Sequence, residues 1–154
     1  MEDNNQEQTH TQDLPAKDWK SYAIPVLALI GIFVASYLSY IHWFPESNLC
    51  TGLGDCETVN ASRWATIRGV PIAVLGLGMY VLILGLSLYR LRVKTEPNTM
   101  IAPVIFGLSL VGVLYSGYLT YLELFVIHAI CPYCVASAIF VTLIFGLAVR
   151  DMEF

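Results

Sequence analysis

The sequence predicts an all-α integral membrane protein built as a bundle of four transmembrane helices. Composition is the first reason: 56% of the 154 residues are hydrophobic and only 13% are charged, against about 25% charged in an ordinary soluble domain. The second is pattern. Four apolar stretches each approach the roughly 20 residues that a helix needs to cross about 30 Å of hydrocarbon. The third is physical: backbone polar groups in lipid must be satisfied within their own segment, which makes helices the expected spanning form. The mean hydropathy, +0.64, agrees. The net charge of −4 says little, because much of the acid lies near the N-terminus, and no basic patch suggests nucleic acid.

Residues 1–20 read as a disordered cytosolic tail, rich in Glu, Asp, Gln, Asn and Thr with little to bury. A cleavable signal peptide is not expected, since the first apolar run starts late and exceeds the length of a signal core. The first span covers about 22–44 and contains no formally charged residue. An outer loop, 45–69, leads to a second span at about 70–89. The third, about 100–129, is interrupted only by Glu123. The fourth, about 132–149, opens on Pro132, which suits a first helical turn where its missing N–H costs nothing. Residues 21–150 thus form one membrane domain, and 151–154 a cytosolic C-terminus. Gly31, Ala35 and Ser39, Gly76 and Gly78, and Gly107, Gly112 and Gly117 read as small residues that let helices pack closely.

Charge sets direction. Lys17, Lys20, Arg90, Arg92, Lys94 and Arg150 share one side of a four-span chain, and only Arg63 and Arg68 lie on the other. That asymmetry puts both termini in the cytoplasm. Trp19, Trp43 and Trp64 fall at span ends or in the outer loop, as interfacial aromatics should. All four cysteines then face outward, where disulfides form and persist.

Cys131-Pro132-Tyr133-Cys134 sits at the seam between the third and fourth spans. Its spacing and its place at a helix N-terminus favour a reactive thiolate, while apolar burial opposes it. The helix terminus is expected to win if the junction is partly wet. Cys50 and Cys56 flank Gly52 and Gly54, a segment flexible enough to open and close a small ring. Four cysteines permit three pairings, and sequence does not choose among them. Two structural staples or a four-cysteine metal site are the bland alternatives; the Gly-rich first pair and outward location fit zinc poorly, so no metal is expected. Cys-Pro-Tyr-Cys also occurs in soluble glutaredoxin-like proteins, but no strand–helix pattern surrounds it here.

The outer cysteine pair is followed by Ser62-Arg63-Trp64 and Gly69-Val70-Pro71-Ile72-Ala73-Val74-Leu75-Gly76. Later comes Tyr118-Leu119-Thr120-Tyr121-Leu122-Glu123, leading into Cys131-Pro132-Tyr133-Cys134. Taken together, Tyr22 to Val149 resembles the vitamin K epoxide reductase family in its prokaryotic form. The resemblance implies a four-helix bundle around a quinone pocket, capped by the outer loop, and a disulfide relay in which Cys50, Cys56, Cys131 and Cys134 are catalytic. A separate periplasmic or extracellular thioredoxin-like partner would give electrons to the loop pair at Cys50. Cys56 would attack the Cys131–Cys134 disulfide at Cys131, and Cys134 would face a quinone of the menaquinone or ubiquinone type. By the same resemblance Ser62 lies near the ring, and Trp64 and Tyr80 line or cap the pocket. The chain departs from the vertebrate enzymes at Ala138, where they carry tyrosine, and in lacking a pocket asparagine on the second helix. Those losses favour plain quinone reduction over epoxide reduction.

Three further residues stand out. Glu123 is the only carboxylate inside a span, and intramembrane ionisable groups are functional by default. Eight residues before Cys131, it would lie about 12 Å away along a continuous helix, placed to relay quinone protons or to hydrogen-bond within the pocket. His128, three residues before Cys131, could stabilise a thiolate or supply a proton. His42 is a weaker candidate at the outer end of the first span. Arg63 and Arg68 read as anchors. The function expected is a membrane thiol oxidoreductase, with a non-enzymatic disulfide-stapled scaffold as the rival.

Overall fold

The computed structural model describes residues 16–44, 62–93 and 100–153. Four long helices dominate: α1 (Ala16–Trp43), α2 (Ile72–Val93), α3 (Ile101–Leu122) and α4 (Pro132–Glu153). Each is long and apolar enough to cross a membrane, over Tyr22–Trp43, Ile72–Val93, Ile101–Ile127 and Pro132–Met152. The helices are apolar on every side. Phe33 is 69% exposed, Val111 65% and Leu114 66%, which is costly in water and natural against lipid.

The helices run past the limits suggested by apolar runs alone. Helix α1 starts at Ala16, inside the segment expected to be tail, while 1–15 lie outside the described residues. Helix α2 begins at Ile72 and continues to Val93, and α4 continues to Glu153. Hydropathy marks the hydrocarbon and not the helix, because intrahelical hydrogen bonding continues into polar sequence wherever the end is held. At one end of the bundle the hold is visible. Arg90 Nη1 of α2 lies 2.9 Å from Asp151 Oδ2 of α4. Both side chains are about a third exposed, so the pair contributes at most about 1 kcal/mol and serves mainly to align the two helix ends.

Helix α1 packs on α2 and on α4, and α3 packs on α4; α2 and α3 touch each other least among neighbouring helices. The bundle is therefore a ring with one loose seam. Its core joins Ala28 and Ala35 of α1, Tyr80 and Ile83 of α2, Ile105 of α3, and Val141 and Ile144 of α4. The buried serine hydroxyls of α2 and α3 are satisfied within their own helices: Ser87 Oγ donates to the Leu84 carbonyl at 3.0 Å and Ser109 Oγ to that of Phe106 at 2.9 Å.

Ahead of α2 lies a short 3₁₀ turn, Arg63–Ala65, then an antiparallel hairpin of β1 (Thr66–Ile67) and β2 (Val70–Pro71). Thr66 pairs with Pro71 and Ile67 with Val70, so the loop is the two residues Arg68 and Gly69. Both have positive φ, 51° and 85°, the signature of a type I′ turn that matches strand twist.

Of the small residues expected to serve packing, Ala35 is buried in the core, and among the glycines only Gly31 and Gly112 are closely approached. A Cβ at Gly31 would run into the Tyr80 ring, and one at Gly112 would meet Val141 Cγ2 at 2.7 Å and Met79 Sδ at 2.8 Å. Gly76, Gly78, Gly107 and Gly117 have nothing within 4 Å of the added atom; the first two open onto a cavity. Gly31→Ala should therefore destabilise the bundle by about 1–3 kcal/mol. Gly76→Ala should leave stability unchanged to within about 0.5 kcal/mol. Thermal unfolding of the two variants in detergent checks the contrast.

Candidate functional site

The site is built at the junction between α3 and α4. Helix α3 does not continue to Ala129 as the apolar run suggests. It widens into a π turn at Glu123–Ile127 and stops at His128, whose backbone is left-handed (φ 55°, ψ 31°). The Glu123 carbonyl accepts hydrogen bonds from the amides of both His128 and Ala129, the latter at 3.2 Å. The chain then turns back, and α4 starts at Pro132 with the Val135 amide bonded to the Cys131 carbonyl at 3.1 Å. Cys131 is thus the N-cap of α4. The reversal corrects the 12 Å separation expected of a straight helix: Glu123 Oε2 lies 3.4 Å from the Cys131 amide, which donates to it.

The two thiols are reduced and meet each other across the first turn of α4. Cys131 is 0% exposed, packed against Leu38 of α1 and Ala129. Its thiol is nevertheless held below the ordinary thiol range. The largest cause is the hydrogen bond its sulfur accepts from the Cys134 thiol; burial pushes the other way, and the amides of Cys134 and Tyr133 add their support. The neighbouring thiol, more than the helix terminus expected to do so, outweighs desolvation at this buried sulfur. The Glu123 carboxyl is a second acceptor facing the same Cys134 thiol proton. On the far side, Tyr133 leans on Tyr37 of α1, ring centroids 4.8 Å apart.

A cavity of about 600 Å³ opens beside this junction. It occupies the loose seam between α2 and α3, where Gly76 and Gly78 leave room. Its walls are largely apolar, with Leu38, Val74, Leu108 and Leu119 among them. The short segment before α2 closes one end with Ser62, Trp64, Ala65, Ile67 and Pro71. Arg63 lies over the Trp64 ring, its guanidinium carbon 5.0 Å from the centroid, a cation–π contact that steadies the cap. At the other end Tyr80 crosses the bundle, its hydroxyl donating to the Ser137 carbonyl at 2.9 Å and pairing with Ser137 Oγ at 3.0 Å. Cys134 and Glu123 complete the wall; Cys131 does not touch the cavity.

The profile of the vitamin K epoxide reductase family matches residues 22–149. That range takes in the cap, the cavity and the Cys-x-x-Cys turn. The chain belongs to the vitamin K epoxide reductase family. Membership makes it an oxidoreductase, and its four apolar helices make it a multi-pass membrane protein.

In this vitamin K epoxide reductase family member, Ser62, Trp64, Tyr80, Glu123 and Cys134 converge on one cavity, with Cys131 immediately behind. Cys50 and Cys56 lie outside the described residues. His42 lines the cavity. His128 is exposed and away from it, and its visible work is the backbone reversal. Sequence reasoning missed Ser137, whose carbonyl accepts from the Tyr80 hydroxyl and whose own hydroxyl pairs with it. Its signal was present: three residues after Cys134, it shares that residue's face of α4. Among the described residues no His, Cys, Asp and Glu group could hold a metal ion.

Removing the Cys134 hydrogen bond should return the Cys131 thiol toward the ordinary range. In Cys134→Ala the pH profile of Cys131 alkylation should move to higher pH than in the reduced wild type. Mass-spectrometric counting of iodoacetamide adducts at Cys131 measures it, and an unmoved profile contradicts the assigned cause.

Proposed function

We propose that this protein oxidises a thioredoxin-like partner outside the cytoplasm and reduces a membrane quinone, so that it drives disulfide formation in exported proteins. The observation that carries this reading is the division between the two thiols: Cys134 lines an apolar cavity whereas Cys131, bonded to it, lies off that cavity. One sulfur can address a lipid-soluble acceptor while the other exchanges with a second cysteine pair.

The cavity suits a quinone. Its volume falls in the range of small-molecule sites, roughly 300–1,000 Å³, and an apolar wall meets a few polar groups at the ends. Trp64 and Tyr80 would hold the ring, with Ser62 near it. When bound, the quinone supplies a two-electron, two-proton acceptor. The chain's own part is thiol–disulfide exchange. The partner dithiol reduces a Cys50–Cys56 disulfide, entering at Cys50. Cys56 thiolate attacks Cys131, breaking the Cys131–Cys134 bond and releasing Cys134 toward the cavity. Cys50 then attacks Cys56, restoring the loop disulfide and freeing Cys131. The dithiol so formed gives its electrons to the acceptor and closes again. Lys and Arg asymmetry supports an outward site with both termini cytoplasmic.

The test uses purified protein in lipid with a reduced thioredoxin-like protein and a quinone. Wild type should consume quinone. Cys134→Ala should fall to background, whereas Cys50→Ala, which lacks the thiol that resolves the intermediate, should accumulate a Cys56–Cys131 disulfide with Cys134 released as a thiol, read as a linked peptide under non-reducing conditions. A stapled scaffold instead consumes no quinone in any form. Offering vitamin K epoxide in place of quinone decides the narrower activity, which the alanine at position 138 disfavours.

A further inference from the structure

Glu123 is the only buried acidic side chain among the described residues, 3% exposed. A carboxyl is expensive to hold inside a membrane bundle unless it is bonded and has work to do. Its partners here are specific. Oε2 accepts the Cys131 amide at 3.4 Å, and the carboxyl is a second acceptor facing the Cys134 thiol proton. It also lines the cavity. One group therefore spans the distance between a sulfur that must lose a proton and the space where a quinone would gain one.

We propose that Glu123 is the proton acceptor for Cys134, taking the thiol proton as the Cys131–Cys134 disulfide forms and passing it into the cavity. The proposal rests on the quinone-reducing function above and deepens it. The step balances as follows. Cys131 reacts as thiolate and Cys134 as thiol. The two sulfurs form one S–S bond and give up two electrons to the quinone. The Cys134 proton travels by way of Glu123 to one quinone oxygen, and the second proton comes from water. The carboxyl returns to its starting state each cycle. The other titratable groups around the site are His42 and Tyr37 of α1, Tyr80 of α2, Tyr115 of α3, Tyr133 of α4 and Cys131. The Tyr80 hydroxyl is engaged with Ser137. Of the cavity-lining groups, Glu123 is the carboxyl in contact with the reacting sulfur.

Glu123→Gln keeps the shape and the acceptor for the Cys131 amide but cannot take a proton. In single turnovers of dithiothreitol-reduced protein with a short-chain quinone, it should slow quinone reduction by about 100-fold or more. The Cys131 alkylation rate should stay within threefold of wild type, which shows the junction intact. A second readout needs no quinone. Redox-poised infrared difference spectra of quinone-stripped protein should gain the carbonyl stretch of a protonated carboxyl when the dithiol is oxidised, and Glu123→Gln should lack it. Unchanged turnover, a slow rate accompanied by lost Cys131 reactivity, or a carboxyl band absent from wild type or surviving in Glu123→Gln would each overturn the assignment. Failure of wild type to reduce any quinone would instead remove the parent function, and the infrared result would still decide whether Glu123 receives the proton.

Discussion

Glu123 ties together two helices that would otherwise have no fixed relation. Its carbonyl takes the amides of His128 and Ala129, and its carboxyl takes the amide of Cys131. Three donors that a chain reversal would leave unpaired are thus satisfied by one residue. In a membrane protein this matters more than in water, because no solvent is at hand to serve an orphaned amide. The same bonds place the N-terminus of α4, with Cys134 at the edge of the cavity and Cys131 immediately behind it. A continuous helix would have put Glu123 about 12 Å from Cys131 and left the thiols without a carboxyl.

The four helices could be read from the sequence because hydropathy reports lipid exposure directly, and α1 to α4 fall where the apolar runs are. Their ends could not, since hydropathy is silent about polar turns such as the one from Arg90 to Val93 that ends α2 beside Asp151. The π turn was also hidden. A π bulge costs one extra residue per turn and carries no composition of its own, so Glu123–Ile127 reads as ordinary helix until its hydrogen bonds are seen. The Cys-x-x-Cys pair was plain from spacing alone. Ser137 was overlooked because a serine in an apolar span usually bonds its own helix, as Ser87 and Ser109 do; only the position of Tyr80 marks it as different.

The cavity exists because packing around the ring of helices is uneven. Where α1 meets α2, Gly31 lets the Tyr80 ring lie against the helix backbone. Tyr80 then reaches past the centre of the bundle to Ser137 of α4. That crossing closes the lower end of the seam between α2 and α3. Above it, Gly76 and Gly78 present no side chain, and the seam stays open up to the Trp64 cap. Glycine therefore has opposite uses in one bundle: at position 31 it brings helices together, and at 76 and 78 it keeps a space unfilled.

The two cysteines differ because their places on the helix give them different surroundings. Cys131 is enclosed and receives donors from Cys134 and from the first turn of α4, and these stabilise negative charge on it. Cys134 is a donor in that same bond and turns its other side to the cavity and to Glu123. A thiolate next to a thiol is the arrangement from which a disulfide forms with only one proton left to remove. Had both sulfurs been exposed to the cavity, either could have met the acceptor. Had both been enclosed, neither would. The asymmetry comes from a single geometric fact: Cys131 caps the helix and Cys134 lies one turn inside it, so the same N-terminus that stabilises charge on the first turns the second toward the open seam.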